Sequence, residues 1–348
     1  MAAPLIHLHL ALLGLLLLLR PPSLAFATDA NEPLAGESLV PFGGARRENR
    51  ASAAPRERAG IEFPPWILRH PKVTHFIRIF SGSGRATLRR ALERSGRYEQ
   101  SMSEIFRSEG VPQELLHLCI IESGFSPLAV SHSRTSGLWQ FTSTTARKYG
   151  LKIDSWLDER KDPIKSTRAA ALYLKDLYGE FGDWLWAVAA YNSGENAIKR
   201  ALASRRPAAL SPLDGKIPLA SITRDFVAKF VAIALIARDP ARYGFHEVAY
   251  DEHLNYDEVV VAEPLSLQTI AQRTSTTVDA LVKLNPALLR GAIPPQERAF
   301  VLRLPVGRGG ILSGFPFALP DLPRLPFPIP APAADERGPD PTAAIEDL

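Results

Sequence analysis

The sequence predicts a mainly α fold followed by a small α+β module. From about residue 59 to 248, apolar residues recur three and four apart, with Gly or Pro at the joints and few β-branched runs. Two short strand-like runs, Val259 to Val261 and Phe300 to Leu304, then bracket two segments of helical spacing. Polar or proline-rich stretches flank both regions, and packing should stop there. At 348 residues, 46% hydrophobic and 22% charged, the chain can bury more than one core.

The opening run, MAAPLIHLHLALLGLLLLL, is apolar but shorter than a spanning helix needs. Arg20-Pro21-Pro22 ends it, and Ala25-Phe26-Ala27 supplies the small residues a signal peptidase accepts. A signal peptide over residues 1–27 is therefore expected, with export to the periplasm or cell envelope. No Lys or Arg precedes the apolar core, which leaves an uncleaved anchor as the other reading; membrane association would come through that N-terminus alone. Residues 28–58 are polar with no sustained period and read as a disordered linker.

Helical order is expected from about Phe63-Pro64-Pro65-Trp66, in a domain spanning 59–248. Pro112 suits the first turn of a helix opening at Val111, and Gly150 suits the stop after Arg147-Lys148-Tyr149. Residues 165–178 place Ala169, Leu172 and Leu177 near one face, and Asp183 can cap the helix that opens at Trp184. The module at 256–305 reads βααβ, with helices Leu267 to Thr274 and Val278 to Leu284. Residues 306–348 read as a Pro-rich disordered tail, with nine prolines from 315 onward.

Composition excludes several classes. Cys119 is the only cysteine, so no disulfide forms within the chain. The net charge of +4 comes without long basic runs, which argues against a nucleic-acid partner. The eight histidines are scattered, with no HExxH and no Cys or His cluster, so neither metal nor cofactor is expected.

The chemistry centres on LCIIESGF, Leu118 to Phe125. In a helix from Val111, Leu115, Leu118 and Glu122 share one face and Glu122 turns inward. Desolvation there raises a carboxyl pKa, as a proton donor to a leaving oxygen requires. A structural Glu satisfying a buried Arg or backbone amides fits the segment as well. SHSRTSGLWQF (131–141) and AAYNSG (189–194) combine small residues, aromatic rings and neutral amides or hydroxyls, suited to a sugar. Each alone also fits core packing or a helix end. Asp158, Glu159 and Asp162 form an acidic cluster that suits caps and ion pairs, or the second carboxylate of a hydrolase.

Taken in order, VPQEL, ESGF, GLWQF, DERKDP, TRAAALYLKDLYGEFGDW, AYNSG and ARYGF resemble the catalytic domain of soluble lytic transglycosylases, over about residues 60–248. SLQTIAQRTSTTVDALVKLNPAL resembles LysM, a peptidoglycan-binding repeat. The resemblance to lytic murein transglycosylases implies a lysozyme-like fold and cleavage of the β-1,4 bond between N-acetylmuramic acid and N-acetylglucosamine without water. Peptidoglycan glycan strands would be the partner and 1,6-anhydromuramic acid the product. It implies Glu122 as sole catalytic acid and base, Ser123 near Glu122 and the substrate, and Gln140 and Asn192 as holders of sugar amides or hydroxyls. Tyr191 would orient Glu122, and Ser131 and Trp139 would line the cleft. One carboxylate suffices when the nucleophile is already tethered to the sugar.

Some positions depart from the family pattern. Ile222 and Phe226 stand where a Glu and a Tyr are common, and Arg134-Thr135 where a small pair is frequent. Glu263-Pro264-Leu265-Ser266 replaces a Gly-Asp-Thr turn of LysM, while Asn285-Pro286 is kept. Two other readings stay open: a lysozyme-type peptidoglycan hydrolase, and a non-catalytic wall-binding protein.

Overall fold

The structure, a computed structural model, describes residues 60–203 and 210–313. The expected signal peptide, the linker at 28–58 and the tail beyond 313 lie outside the described residues.

The first core is built by helices α1 (Pro65–Leu68), α2 (Pro71–Ser81), α3 (Arg85–Ser95), α4 (Glu99–Glu109), α5 (Leu118–Ser123), α6 (Ser143–Lys148), α7 (Pro163–Phe181), α8 (Trp184–Ser193), α9 (Glu195–Leu202) and α10 (Ser221–Arg238). At its centre lies α8, whose residues from Leu185 to Ala190 are all buried, as a helix apolar on every side must be. Helix starts follow local chemistry. The Asp162 carboxylate accepts from the Ile164 and Lys165 amides (both 2.9 Å) at the head of α7. Asp183 accepts from Leu185 and Trp186 (2.8 and 3.0 Å) at the head of α8, as expected. Past α6, Gly150 turns left-handed (φ 83°) in the expected stop.

Two local expectations are corrected. No helix opens at Val111: Gly110 is left-handed (φ 70°) and the Val111 amide donates to the Phe106 carbonyl (2.8 Å), so Val111 closes α4. Pro112 stays extended, Gln113–His117 forms a 3₁₀ turn, and α5 begins only at Leu118. Leu172 does not share the buried face of Ala169 and Leu177. It is 38% exposed, because five residues along a helix rotate it about 140° away from Leu177.

The second core is the module: β1 (Tyr256–Val261), α11 (Leu267–Thr274), α12 (Val278–Leu284) and β2 (Phe300–Pro305). The strands are antiparallel, with Tyr256 opposite Pro305 and Val261 opposite Phe300. Val261, Ile270, Leu281, Leu302 and Leu304 are fully buried between them. The Asn285 carboxamide joins α12 to β2, accepting from the Arg303 amide (2.9 Å) and donating to the Arg303 carbonyl (2.8 Å). This module is longer than the sequence suggested. A short helix, α13 (Gly309–Ser313), buries Leu312 in the same core, since two strands alone leave apolar surface uncovered.

The two cores meet along residues 152–162. Leu157 is buried inside the module's core, Leu289 donates its amide to the Trp156 carbonyl (2.9 Å), and Asp158 donates its amide to Ala287 (3.0 Å). The Arg290 guanidinium lies 4.9 Å from the Trp156 ring centre. Arg303 reaches out of β2 to Asp162 with contacts of 2.9 and 3.3 Å, both side chains at most 10% exposed. Burial opposes the Arg303 charge, but the Asp162 carboxylate more than offsets it and the guanidinium holds its proton more tightly than usual.

Candidate active site

Glu122 occupies the last turn of α5 and is half-buried. The helix ends there because Gly124 and Phe125 are both left-handed (φ 55° and 59°), and the Phe125 amide returns to the Cys119 carbonyl (3.0 Å). A left-handed, fully buried Phe is uncommon, and such strain tends to gather at functional sites. Arg94 secures the turn, donating from Nε to the Gly124 carbonyl (2.7 Å).

Three segments converge on this turn through the loop at 129–141. Ser123 Oγ donates to the Leu138 carbonyl (2.8 Å), and Tyr191 Oη on α8 donates to the Trp139 carbonyl (2.6 Å). Trp139 Nε1 donates to Thr167 Oγ1 on α7 (3.0 Å) while its ring stacks on Phe106 of α4 (5.5 Å, 24°). Gln140, itself left-handed (φ 47°), donates through Nε2 to the carbonyls of Gly137 (2.8 Å) and Ala129 (3.3 Å) and accepts from Thr135 Oγ1 (2.7 Å). Ser131 Oγ shares hydrogen bonds with Ser133 and Thr135 (2.8 and 2.7 Å).

Several expected roles are therefore corrected. Trp139 is fully buried and lines no cleft, because its indole is used in packing. Ser123 is also fully buried and joins α5 to the loop rather than meeting a substrate. Both Nε2 protons of Gln140 are held by backbone carbonyls, and the Tyr191 hydroxyl donates to the Trp139 carbonyl beside the turn that carries Glu122. Ser131 is half-buried with its hydroxyl bonded to Ser133 and Thr135, and Asn192 is exposed. Ile222, at the head of α10, is 72% exposed, whereas Phe226 is buried.

The electrostatics ties Glu122 to two neighbours. Burial first, then the charge of Glu122, pushes the Tyr191 phenol well above its ordinary value. The same two causes raise the Cys119 thiol, which is fully buried and thus inert core. The acidic cluster is engaged elsewhere. Asp158 pairs with Arg160 (2.8 Å), Glu159 with Lys165 (2.5 Å), and Asp162 caps α7 while bonding Arg303. Among the described residues no cluster of three or more His, Cys, Asp or Glu is placed to hold a metal ion.

Sequence reasoning missed Arg160 and Gly137. Arg160 donates from Nη1 to the Arg134 and Phe141 carbonyls (both 3.0 Å), tying the middle of the loop to its end. Gly137 (φ 84°) lies so close to the Arg160 carbonyl that a Cβ would stand 1.8 Å from it, so no other residue fits. The glycine of SGLW and the arginine of DERKDP were the visible signals.

Residues 102–211 match the model of the transglycosylase SLT domain, and residues 255–313 that of the LysM-like domain of lytic transglycosylase MltD. The membrane-bound lytic murein transglycosylase D of Escherichia coli K12 is 34% identical over 194 residues, which is 55% of this chain and 43% of that protein. The peptidoglycan transglycosylase gp16 of Escherichia phage T7 is 38% identical over 104 residues, 29% of this chain and 8% of that protein. The lytic transglycosylase Slt of Pseudomonas aeruginosa overlays 44% of this chain on 25% of its own, at 21% identity and a TM-score of 0.33. The chain thus spans less than half the length of the Escherichia coli relative. It is homologous, at that identity, to the Escherichia coli lytic murein transglycosylase D, with one segment similar to the SLT domain and a later one similar to the LysM-like domain of MltD.

Proposed function

We propose that the chain is a peptidoglycan lytic transglycosylase of the cell envelope, cutting the β-1,4 bond between N-acetylmuramic acid and N-acetylglucosamine with Glu122 as its single acid and base. The observation that carries this reading is where Glu122 stands while the acids of the DERKDP stretch are engaged elsewhere. It is a half-buried carboxyl on a strained turn, and the acidic residues of the DERKDP stretch are each taken up by a cap or an ion pair. A hydrolase of the same architecture needs a second carboxylate to activate water or bond the sugar.

In this mechanism the Glu122 carboxylic acid gives its proton to the glycosidic oxygen as the bond from that oxygen to muramic C1 breaks. The resulting carboxylate takes the proton of the muramic C6 hydroxyl as its oxygen bonds to C1. The product is a 1,6-anhydro ring, water is not consumed, and Glu122 ends protonated as it began. Tethering of the nucleophile supplies an effective concentration of roughly 10⁵ M or more. Ser131 and Asn192 hold sugar polar groups, and Tyr191, Ser123 and Trp139 keep the turn and loop in place around the carboxyl.

Purified sacculi digested by the wild type should yield anhydromuramic ends by mass spectrometry. Glu122→Gln, which keeps the shape and removes the proton, should lower turnover at least about a hundredfold. Reducing-end muramic acid among the products, or undiminished turnover by Glu122→Gln, would overturn the assignment. The exposed Ile222 favours one rival, a wall-binding protein; wild type that cosediments with sacculi and leaves them intact would establish it.

A further inference from the structure

Between the first core and the module lies a groove of about 470 Å³ that the mechanism leaves unused. Tyr149, Arg168 and Leu172 line one side, Phe300 and Val301 the other. Leu172 and Val301 are 38% and 44% exposed, large apolar side chains without cover. Two of the cations in the lining are neutralised: Lys152 pairs with Glu297 (2.9 Å) and Lys165 with Glu159 (2.5 Å). Arg168 is exposed and has no hydrogen-bond or ion-pair partner among the described residues. A guanidinium of this kind is suited to a carboxylate, which it grips with two parallel N–H donors.

The walls are fixed relative to each other by the Arg303–Asp162 pair, the Arg290–Trp156 contact and Leu157 in the module's core. A row of rings links Tyr191 to the groove. Tyr191, which feels the charge of Glu122, lies 5.4 Å from Tyr173, and Tyr173 lies 5.2 Å from Tyr149.

We propose that this groove binds the peptide stem carried by the glycan strand, one stem carboxylate on Arg168 and apolar stem groups against Leu172 and Val301. The inference rests on the transglycosylase reading for the source of the peptide. The lining itself favours a peptide over a sugar. It offers aliphatic walls and one unneutralised cation rather than the neutral amides and hydroxyls a sugar requires.

Two measurements test it with the full chain. Turnover is compared on peptide-bearing glycan strands and on strands stripped of peptide by an amidase. Arg168→Ala should raise KM about ten- to a hundredfold on the first and leave the second unchanged, with Arg168→Lys recovering part of the loss. An equal effect on both substrates, or on neither, overturns the proposal. Calorimetric titration with the free tripeptide L-Ala-γ-D-Glu-meso-diaminopimelate reads the groove without turnover. Binding that disappears in Arg168→Ala and in Val301→Glu supports it. Absence of binding by wild type, or binding indifferent to both changes, overturns it. Peptide binding retained by a wild type that cuts nothing would sink the transglycosylase reading and leave the groove standing.

Discussion

Replacing Arg303 with Met should loosen the joint between the two cores. The Arg303 and Asp162 side chains are 8% and 10% exposed and meet at 2.9 Å. Unit charges about 4 Å apart at an effective dielectric near 20 attract by about 4 kcal/mol, and stranding one member of a buried pair costs about 3–5 kcal/mol. Asp162 keeps its two amide donors at the head of α7, and Glu258, the other partner of Arg303 at 3.3 Å, is half exposed and adds little. The expected loss is therefore at the lower end, about 3 kcal/mol. Asp162→Asn retains an oxygen to cap α7 but removes the charge. The double variant should accordingly lose less than the sum of the singles, by a coupling of about 2 kcal/mol. Urea unfolding followed by tryptophan fluorescence is the assay, with Trp156 reporting from the joint. A wild type with one transition and an Arg303→Met variant with an earlier one are expected. Strict additivity in the double variant, or a loss under about 0.5 kcal/mol for Arg303→Met, would refute the account of the clamp.

Two further outcomes follow from buried titratable groups. Burial lowers His117 to about 4, against a backbone hydrogen bond at Glu114 that raises it, and its buried Nδ1 has no partner among the described residues. The unfolded chain takes up a proton below about pH 6.5 that the folded chain refuses, so stability is full above that pH and falls toward pH 4 by up to about 3 kcal/mol. His117→Gln should flatten this slope, checked by urea-unfolding free energies at neutral and acid pH; identical slopes would contradict it. Cys119 is fully buried with its thiol pushed up, so a thiol reagent should leave the folded protein unmodified and react only after unfolding in urea. Rapid labelling of the native chain would count against that placement.

Much of the local architecture was legible in the residues. Asp183 before Trp184, Gly150 after Tyr149 and the two module helices rest on interactions within about four positions along the chain, so neighbouring residue types specify them. The segment holding Glu122 was legible too, because apolar spacing and a Gly stop are local signals. The helix start at Val111 was misread because its amide serves the preceding helix. Trp139 and Gln140 were read as cleft residues, since an aromatic beside an amide has the same signature in a sugar site and in a core.

Long-range contacts settled what the one-dimensional pattern left open. Trp139 meets Thr167 across 28 positions, Tyr191 meets the Trp139 carbonyl across 52, and Arg303 meets Asp162 across 141. No period or cap encodes such pairings, which arise only when separate helices close on a shared interior and each buried polar group must find a partner. Residue order thus specified the helices, the strands and the acid-bearing turn. Chain closure determined which side chains became core, which stayed exposed, and that the module is clamped onto the first core with a groove between them.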